Sequence, residues 1–232
     1  MSASIPAARP AEGLPASPEL SADAAGTVGA TRRRLAMGVK RLEDLAGATV
    51  GMVALAPLFA VLVLVVLAVE GRPVLFTQER VGLHGRRFRL VKLRTMVRDA
   101  EERYGEVAAL SETAGGTFKM TNDPRVTRLG RLLRKTSLDE LPQLWNVLRG
   151  EMSLVGPRPA PFREVDCYDG WHLRRFAMKP GMTGLWQVTS RFDEHIDQRA
   201  TLDIAYVDGW SLHLDLVILA RTVPAVLACT GR

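Results

Sequence analysis

Ser137 to Pro159 reads SLDELPQLWNVLRGEMSLVGPRP. Two neighbouring carboxylates, Asp139 and Glu140, stand near its start, and an arginine locked between prolines, Arg158, stands at its end. Ser137-Leu138-Asp139-Glu140 fits a capping box, in which Ser137 caps a helix and Glu140 reaches back to the Ser137 backbone N–H. Acids also gather in a first helical turn because its free N–H groups carry partial positive charge. The same field attracts phosphate, and an ionised aspartate there can attack phosphorus. Both readings stand on these residues alone. Pro142 falls at the edge of the first turn, where a missing N–H is tolerated. Prolines on both sides of Arg158 restrict its backbone, so the guanidinium loses little freedom when it meets an anion. The bland alternative is a rigid turn with an exposed arginine.

Upstream, Asn122-Asp123-Pro124 predicts a helix start with Asp123 as cap and Pro124 at the first position. Arg125, Arg128, Arg131 and Arg134 follow at spacing three beside Val126, Leu129, Leu132 and Leu133. That pattern suits an amphipathic helix at a membrane interface, or an ordinary surface helix with a solvated basic face. Nucleic-acid binding would use similar residues, but no recognisable motif for it is present. Further back, Leu45 to Val69 carries no charged residue. As one helix its ~25 residues would reach roughly 37 Å, against about 30 Å of hydrocarbon core. Pro57 sits at its middle. Both flanks are basic: Arg32, Arg33, Arg34, Lys40 and Arg41 before, Arg72, Arg80, Arg86, Arg87 and Arg89 after. The positive-inside rule then gives a spanning helix no orientation, whereas a re-entrant helix broken at Pro57 keeps both flanks on one side. The first basic cluster is expected to meet anionic lipid.

The remaining chain adds turns and strands. Val74-Leu75-Phe76 and Phe88–Lys92 read as strands around a Gly82–Gly85 turn. Lys92 and Arg94 would face phosphate, or stand exposed on an edge strand. Residues 97–118 read as a short helix over Arg98–Leu110 and a Gly115-Gly116 loop, and Pro161 to Arg175 reads as helical. Val217 to Ala228 is apolar, too short for a span, and suited to lying on a membrane or packing on the core. Residues 1–31 are rich in Ala, Pro, Ser, Gly and Thr and are expected to be disordered. The 232 residues carry Lys+Arg 31 against Asp+Glu 25, a net +6 that favours an anionic partner. Cys167 and Cys229 form no C-x-x-C pattern and are expected to be two buried thiols in a reduced compartment. The four histidines show no metal-ligand spacing.

TSLDELPQLWNVLRGEMSLVGPRP resembles the signature block of bacterial sugar transferases, the monotopic phosphoglycosyl transferases. Three further stretches are similar to blocks of that family: Lys92-Leu93-Arg94-Thr95-Met96, Lys179-Pro180-Gly181-Met182-Thr183-Gly184-Leu185-Trp186-Gln187-Val188, and the pair Leu202–Val207 and Trp210–Leu216. The resemblance runs from about Lys40 to Thr222. It departs at Ala56-Pro57, where many members have Ser-Pro. It departs again at Thr189-Ser190-Arg191, where a glycine is common, and at Ala205, where a tyrosine is frequent.

The resemblance implies an α+β, mostly helical fold: an N-terminal re-entrant membrane helix, interfacial amphipathic helices and a small cytoplasmic catalytic domain. The divisions expected are a disordered tail over 1–31, a basic segment and membrane helix over 32–70, and a catalytic domain over 71–228. It implies transfer of a sugar-1-phosphate from a nucleotide-diphosphate sugar, with uridine as the expected base, onto polyprenyl (undecaprenyl) phosphate at the inner membrane of a bacterium. Asp139 would be the nucleophile. Asp139 and Glu140 would hold Mg²⁺, and Arg134, Arg158, Lys92 and Arg94 would bind phosphate. The membrane is the expected partner, nucleic acid is not, and a homodimer is compatible. Extra transmembrane helices of larger members are lacking, so the chain resembles their catalytic unit. Two other classes remain open on the residues: a conventional glycosyltransferase, disfavoured by the lack of an Asp-x-Asp motif, and a membrane scaffold without activity.

Overall fold

In a computed structural model, the structure describes residues 25–108, 111, 120, 122–189 and 195–228. The apolar run lies inside one helix, α1 (Ala25–Glu70), and helical structure continues through Pro57. The expected interruption at Pro57 is therefore not seen. A proline removes one i→i−4 hydrogen bond and can bend a helix without ending it. Residues 25–31, expected to be disordered, belong to the same helix. Among the described residues α1 is the one helix long and apolar enough to cross a membrane. Val50, Val53, Val61, Leu64 and Val69 are exposed along it.

The basic segment before the apolar run does not form a separate lipid-facing unit. Lys40, Asp44 and Ala48 are buried, and they recur on one face of the helix as i, i+4 steps require. The Lys40 ammonium donates to the Asp215 carboxylate (2.6 Å) and to the Val155 carbonyl (3.0 Å). Arg41 donates to the carbonyls of Val147 (2.7 Å) and Leu148 (2.8 Å), in the last turn of α4 (Gln143–Arg149), whose final carbonyls lack helical partners. Asp44 accepts from the Ser153 hydroxyl and the Leu154 N–H, both at 2.8 Å. Two of the arginine and lysine positions expected at lipid are thus tied to the protein. At its other end α1 is also fastened. Val66 packs on Leu93 and Leu133; Arg94 donates to the carbonyls of Glu70 (2.6 Å) and Gly71 (2.9 Å); and the Thr127 hydroxyl donates to the Glu70 carboxylate. The helix is therefore held to one body on both sides of its apolar middle, at Lys40–Asp44 and at Val66–Glu70.

That body is built around a hairpin. Strands β1 (Leu75–Val81) and β2 (Arg87–Leu93) pair antiparallel with Gln78 opposite Leu90, joined through a tight turn over Leu83–Gly85, as the glycines predict. Strand β4 (Ala160–Pro161) adds to the free edge of β1. The other edge, on β2, is closed by the buried Asn146 side chain. Its carbonyl accepts from the Val91 N–H (3.1 Å) and its amide donates to the Arg89 carbonyl (2.7 Å). A second, parallel pair joins β3 (Ser153–Val155) to β5 (Gly181–Thr183). A Cβ at Gly156 would collide with the Lys179 carbonyl, and one at Gly181 with the Gly156 N–H. The glycines of both motifs thus serve backbone-to-backbone packing, which only a residue without a side chain permits.

Helices complete the body: α2 (Tyr104–Ala108), α3 (Arg128–Lys135), α4, α5 (Phe162–Val165), α6 (Leu185–Thr189), α7 (Ile196–Asp208) and α8 (Leu212–Leu227). Several expected boundaries move. The helix of 98–110 is reduced to α2, with Gly115 and Gly116 outside the described residues. Helix α3 starts at Arg128, capped by the Thr127 hydroxyl, which accepts from Gly130 N–H. Asp123 does not cap it, because its carboxylate holds the backbone and guanidinium of buried Arg125. Pro161–Arg175 is split into α5 and a 3-10 segment over Gly170–Ala177. Cys167 is exposed rather than buried, and Cys229 and the departure at Ser190-Arg191 fall outside the described residues. Helix α8 buries Asp215 and Ile218 and leaves Leu216, Val223 and Leu227 exposed.

Candidate active site

Asp139 and Glu140 occupy a short 3-10 turn, Leu138–Glu140, between α3 and α4. Ser137 does not cap it. It takes the left-handed region (φ 58), and its side chain makes no cap hydrogen bond. That conformation is uncommon for a residue with a Cβ and lets the chain reverse abruptly at the end of α3. Asp139 turns inward and is 5% exposed, while the Glu140 side chain keeps 24% of its surface. Pro142 is the residue before α4, so its missing N–H costs no helical bond.

Three of the four expected basic residues gather here. Lys92, on β2, places its ammonium 3.3 Å from a Glu140 carboxylate oxygen. Arg158 approaches the same oxygen at 4.0 Å and lies over the Trp186 ring. Arg134, in the last turn of α3, donates through Nε to the Thr95 hydroxyl (2.9 Å). Arg94 is turned toward the end of α1: its Nη2 donates to the Glu70 and Gly71 carbonyls and its Nε lies 3.7 Å from the Glu70 carboxylate, while Nη1 makes no hydrogen bond among the described residues. Arg94 borders the same cavity.

These groups line an open cavity of about 740 Å³. Its walls include Lys92, Arg134, Asp139, Glu140 and Arg158, and one rim carries the half-exposed Leu75, Phe76 and Val226. Electrostatics sets the protonation of the acid. Burial pushes the Asp139 carboxyl above the ordinary aspartate range, Lys92 pulls it down, Glu140 raises it and Arg134 lowers it. Burial also pushes the Lys92 ammonium and the Arg134 guanidinium down, against the attraction of Glu140 and Asp139. A carboxylate among three cations in a partly dry cavity can act as a nucleophile toward an anionic phosphorus centre, since the cations offset the repulsion.

Sequence reading missed several lining residues. Arg80 donates to the Pro159 carbonyl (3.1 Å) and stiffens the loop that carries Arg158; burial first, and then Arg158, lower its pKa to about 10. Arg175 donates to the Arg158 carbonyl (2.9 Å) and is itself held by Asp203, Tyr168 and Glu164. Arg199 is paired with Glu164 and lies over the other neighbour of this group, Trp186. Arg80, Arg175 and Arg199 are dispersed over more than a hundred positions, whereas Thr183, Trp186 and Gln187, which also line the cavity, lie inside a block the sequence singled out. Among the described residues there is no group of three or more His, Cys, Asp or Glu side chains arranged to hold a metal ion. Mg²⁺ asks less than that, since one or two carboxylates and a substrate phosphate complete its octahedron with water. The adjacent Asp139 and Glu140 fit that requirement.

Comparison with known proteins bears on the same residues. The family model described as Bacterial sugar transferase matches residues 35–229. The chain is 46% identical over 197 residues to a UDP-galactose-lipid carrier transferase of Erwinia amylovora, covering 83% of this chain and 41% of that protein. It is 41% identical over 196 residues to the exopolysaccharide production protein ExoY of Rhizobium meliloti, covering 83% and 87%. It is also 41% identical over 196 residues to a UDP-glucose:undecaprenyl-phosphate glucose-1-phosphate transferase of Caulobacter vibrioides, covering 81% and 69%. The chain therefore spans about two fifths of the Erwinia protein and most of ExoY. With the matched stretch running from within α1 past the end of α8, and enclosing every residue of the cavity, the chain belongs to the bacterial sugar transferase family.

Proposed function

We propose that this chain transfers a sugar-1-phosphate from a nucleotide-diphosphate sugar, a UDP-sugar, to polyprenyl phosphate, giving polyprenyl-diphosphate sugar and UMP. The observation that carries the reading is the buried Asp139 carboxylate set among Lys92, Arg134 and Arg158 in one cavity. An Asp139 oxygen attacks the phosphorus that bears the sugar. The bond from that phosphorus to the bridging oxygen breaks, and the oxygen leaves with UMP. The lipid phosphate then attacks the same phosphorus, the Asp139–phosphorus bond breaks, and the aspartate is restored. Arg134 and Arg158 offset charge on the phosphoryl oxygens, and Lys92 keeps Asp139 ionised and orients Glu140. Asp139 and Glu140 would hold Mg²⁺, which supplies charge neutralisation at the diphosphate. The names of the relatives, lipid-carrier and undecaprenyl-phosphate transferases among them, support the acceptor assigned.

The seating we propose at the membrane rests on α1. This helix is fastened to one body on both sides of Pro57, and a helix that crossed a bilayer would set its two flanks on opposite faces. This supports a helix whose two flanks lie at the same face of the bacterial inner membrane, with the catalytic body in the cytoplasm. Exposed Leu216, Val223 and Leu227 on α8 and Leu132 on α3 would rest at the lipid surface. The test is product analysis with purified protein in lipid nanodiscs. UMP, and not UDP, should accumulate, and Asp139→Asn should reduce turnover by at least ~10³-fold, the scale expected when a covalent nucleophile is lost. UDP release would point to a conventional glycosyltransferase, and full turnover in Asp139→Asn would remove the nucleophile.

A further inference from the structure

Gln187 stands in the wall of the cavity, one residue from the Trp186 ring on which Arg158 lies. Neither its amide oxygen nor its amide nitrogen has a hydrogen-bond partner, and both are closed to solvent. Other side chains in the described residues have a buried unpartnered atom, including Glu70, Arg94, Arg175, Arg199 and Asp203. Each of those is bonded through a different atom of the same group. Gln187 alone among them has its entire polar end unused. An amide left so forfeits the solvation of each unmade bond, so native proteins rarely keep one without a purpose. The room it occupies is also specific. A Cβ on Gly184 would come within 2.8 Å of the Gln187 amide oxygen, so the amide folds back over a position where no side chain stands. An unbranched side chain of this kind reaches the cavity by rotating its own torsions, without backbone movement.

We propose that Gln187 binds the sugar-nucleotide donor, turning its carboxamide into the cavity to donate one hydrogen bond and accept another. This rests on the phosphosugar-transfer reading above and extends it to donor recognition. The ligand chemistry required is a donor and an acceptor side by side. Two parts of a UDP-sugar offer it: the imide edge of the uracil ring, with N3–H beside a carbonyl, and a pair of neighbouring sugar hydroxyls. Gln187 and Arg158, the arginine assigned to phosphate, line the same cavity, so the amide turned inward would face what flanks a diphosphate.

The discriminating variant is Gln187→Met, which keeps the length of the side chain and removes the amide. The readings are the melting temperature of the protein in nanodiscs, the KM for the donor that yields a phosphosugar adduct, and the inhibition constant of UMP. The proposal expects KM to rise roughly ten- to hundredfold, the effect of two lost hydrogen bonds to a ligand, with kcat changing much less. It also expects the melting temperature to stay level or rise, because an unpaired amide has been replaced by an apolar group of similar shape. A UMP constant that weakens in parallel assigns the bond to the base, and an unchanged one assigns it to the sugar. An unchanged KM, or a melting temperature that falls by several degrees, overturns the proposal in favour of a structural glutamine. If the wild-type protein forms no adduct with any UDP-sugar, the transfer reading itself falls, and this inference with it.

Discussion

At the scale of single residues, the chemistry rests on how Asp139 is kept ionised in a place that disfavours charge. Burial raises its pKa, so the deprotonated, attacking form appears only as pH climbs through that raised value. The rate of donor attack should therefore fall on the acid side with a limb lying above the ordinary aspartate range. Lys92 is the largest opposing influence. Removing its charge in Lys92→Met should move the acid limb to higher pH and lower the rate at neutral pH, read from a pH profile of UMP release. A limb that stays in place would detach Lys92 from the nucleophile. The two carboxylates and Arg158 stood out in the sequence as adjacent acids and a proline-locked arginine, but the capping box that offered a bland reading of the acids is not formed, since Ser137 makes no cap hydrogen bond. Lys92 and Arg94 looked alike, two basic residues at strand spacing on the same face. They part because β2 ends at Leu93, so Arg94 leaves the pleat and turns to the last carbonyls of α1. The Gln187 amide gave no sequence signal beyond its place in a recognised block.

At the scale of elements, the hairpin was readable from its glycines, although its first strand runs on to Val81, and the start of α3 was not. Asp123-Pro124 has the form of a helix start, but the Asp123 side chain is taken by Arg125 two residues on, and Thr127 becomes the cap instead. Competition between local hydrogen bonds decides such cases, and a capping pattern does not reveal the competitor. The basic segment of α1 failed for a related reason. Lys40 and Arg41 precede an apolar run, as lipid-binding residues do, yet their partners lie more than a hundred residues away in β3, α4 and α8. Lys40 joins Tyr206, which donates to Asp215 at 2.7 Å, and Trp210, which donates at 3.0 Å. Lys40→Met would leave the Asp215 carboxylate buried without its cation. Such losses cost about 3–5 kcal/mol, so thermal unfolding in nanodiscs should begin many degrees lower. A change within a degree or two would return Lys40 to the lipid surface.

At the scale of the whole molecule, a long apolar helix and a compact body share two attachments, one on each side of the apolar middle of the helix. The sequence announced both the helix and the basic flanks that argue for a common side, but it could not show the attachments, which join residues distant in the chain. The arrangement makes a topological prediction. With Cys167 and Cys229 replaced by serine, single cysteines at Arg33 and Arg72 should both react with a membrane-impermeant maleimide from the cytoplasmic side of inverted vesicles. Reaction of the two from opposite sides would mean a spanning helix. The cavity opens beside the end of α1 that carries Glu70, so donor from the cytoplasm and acceptor from the lipid would meet at Asp139. The most direct test of that meeting is the intact mass of detergent-solubilised protein mixed with UDP-sugars in the absence of lipid acceptor. The account predicts a mass gain equal to one sugar phosphate, absent in Asp139→Asn and discharged when polyprenyl phosphate is added. UMP release on adding the lipid with no adduct at any time, or an adduct that persists in Asp139→Asn, would contradict it.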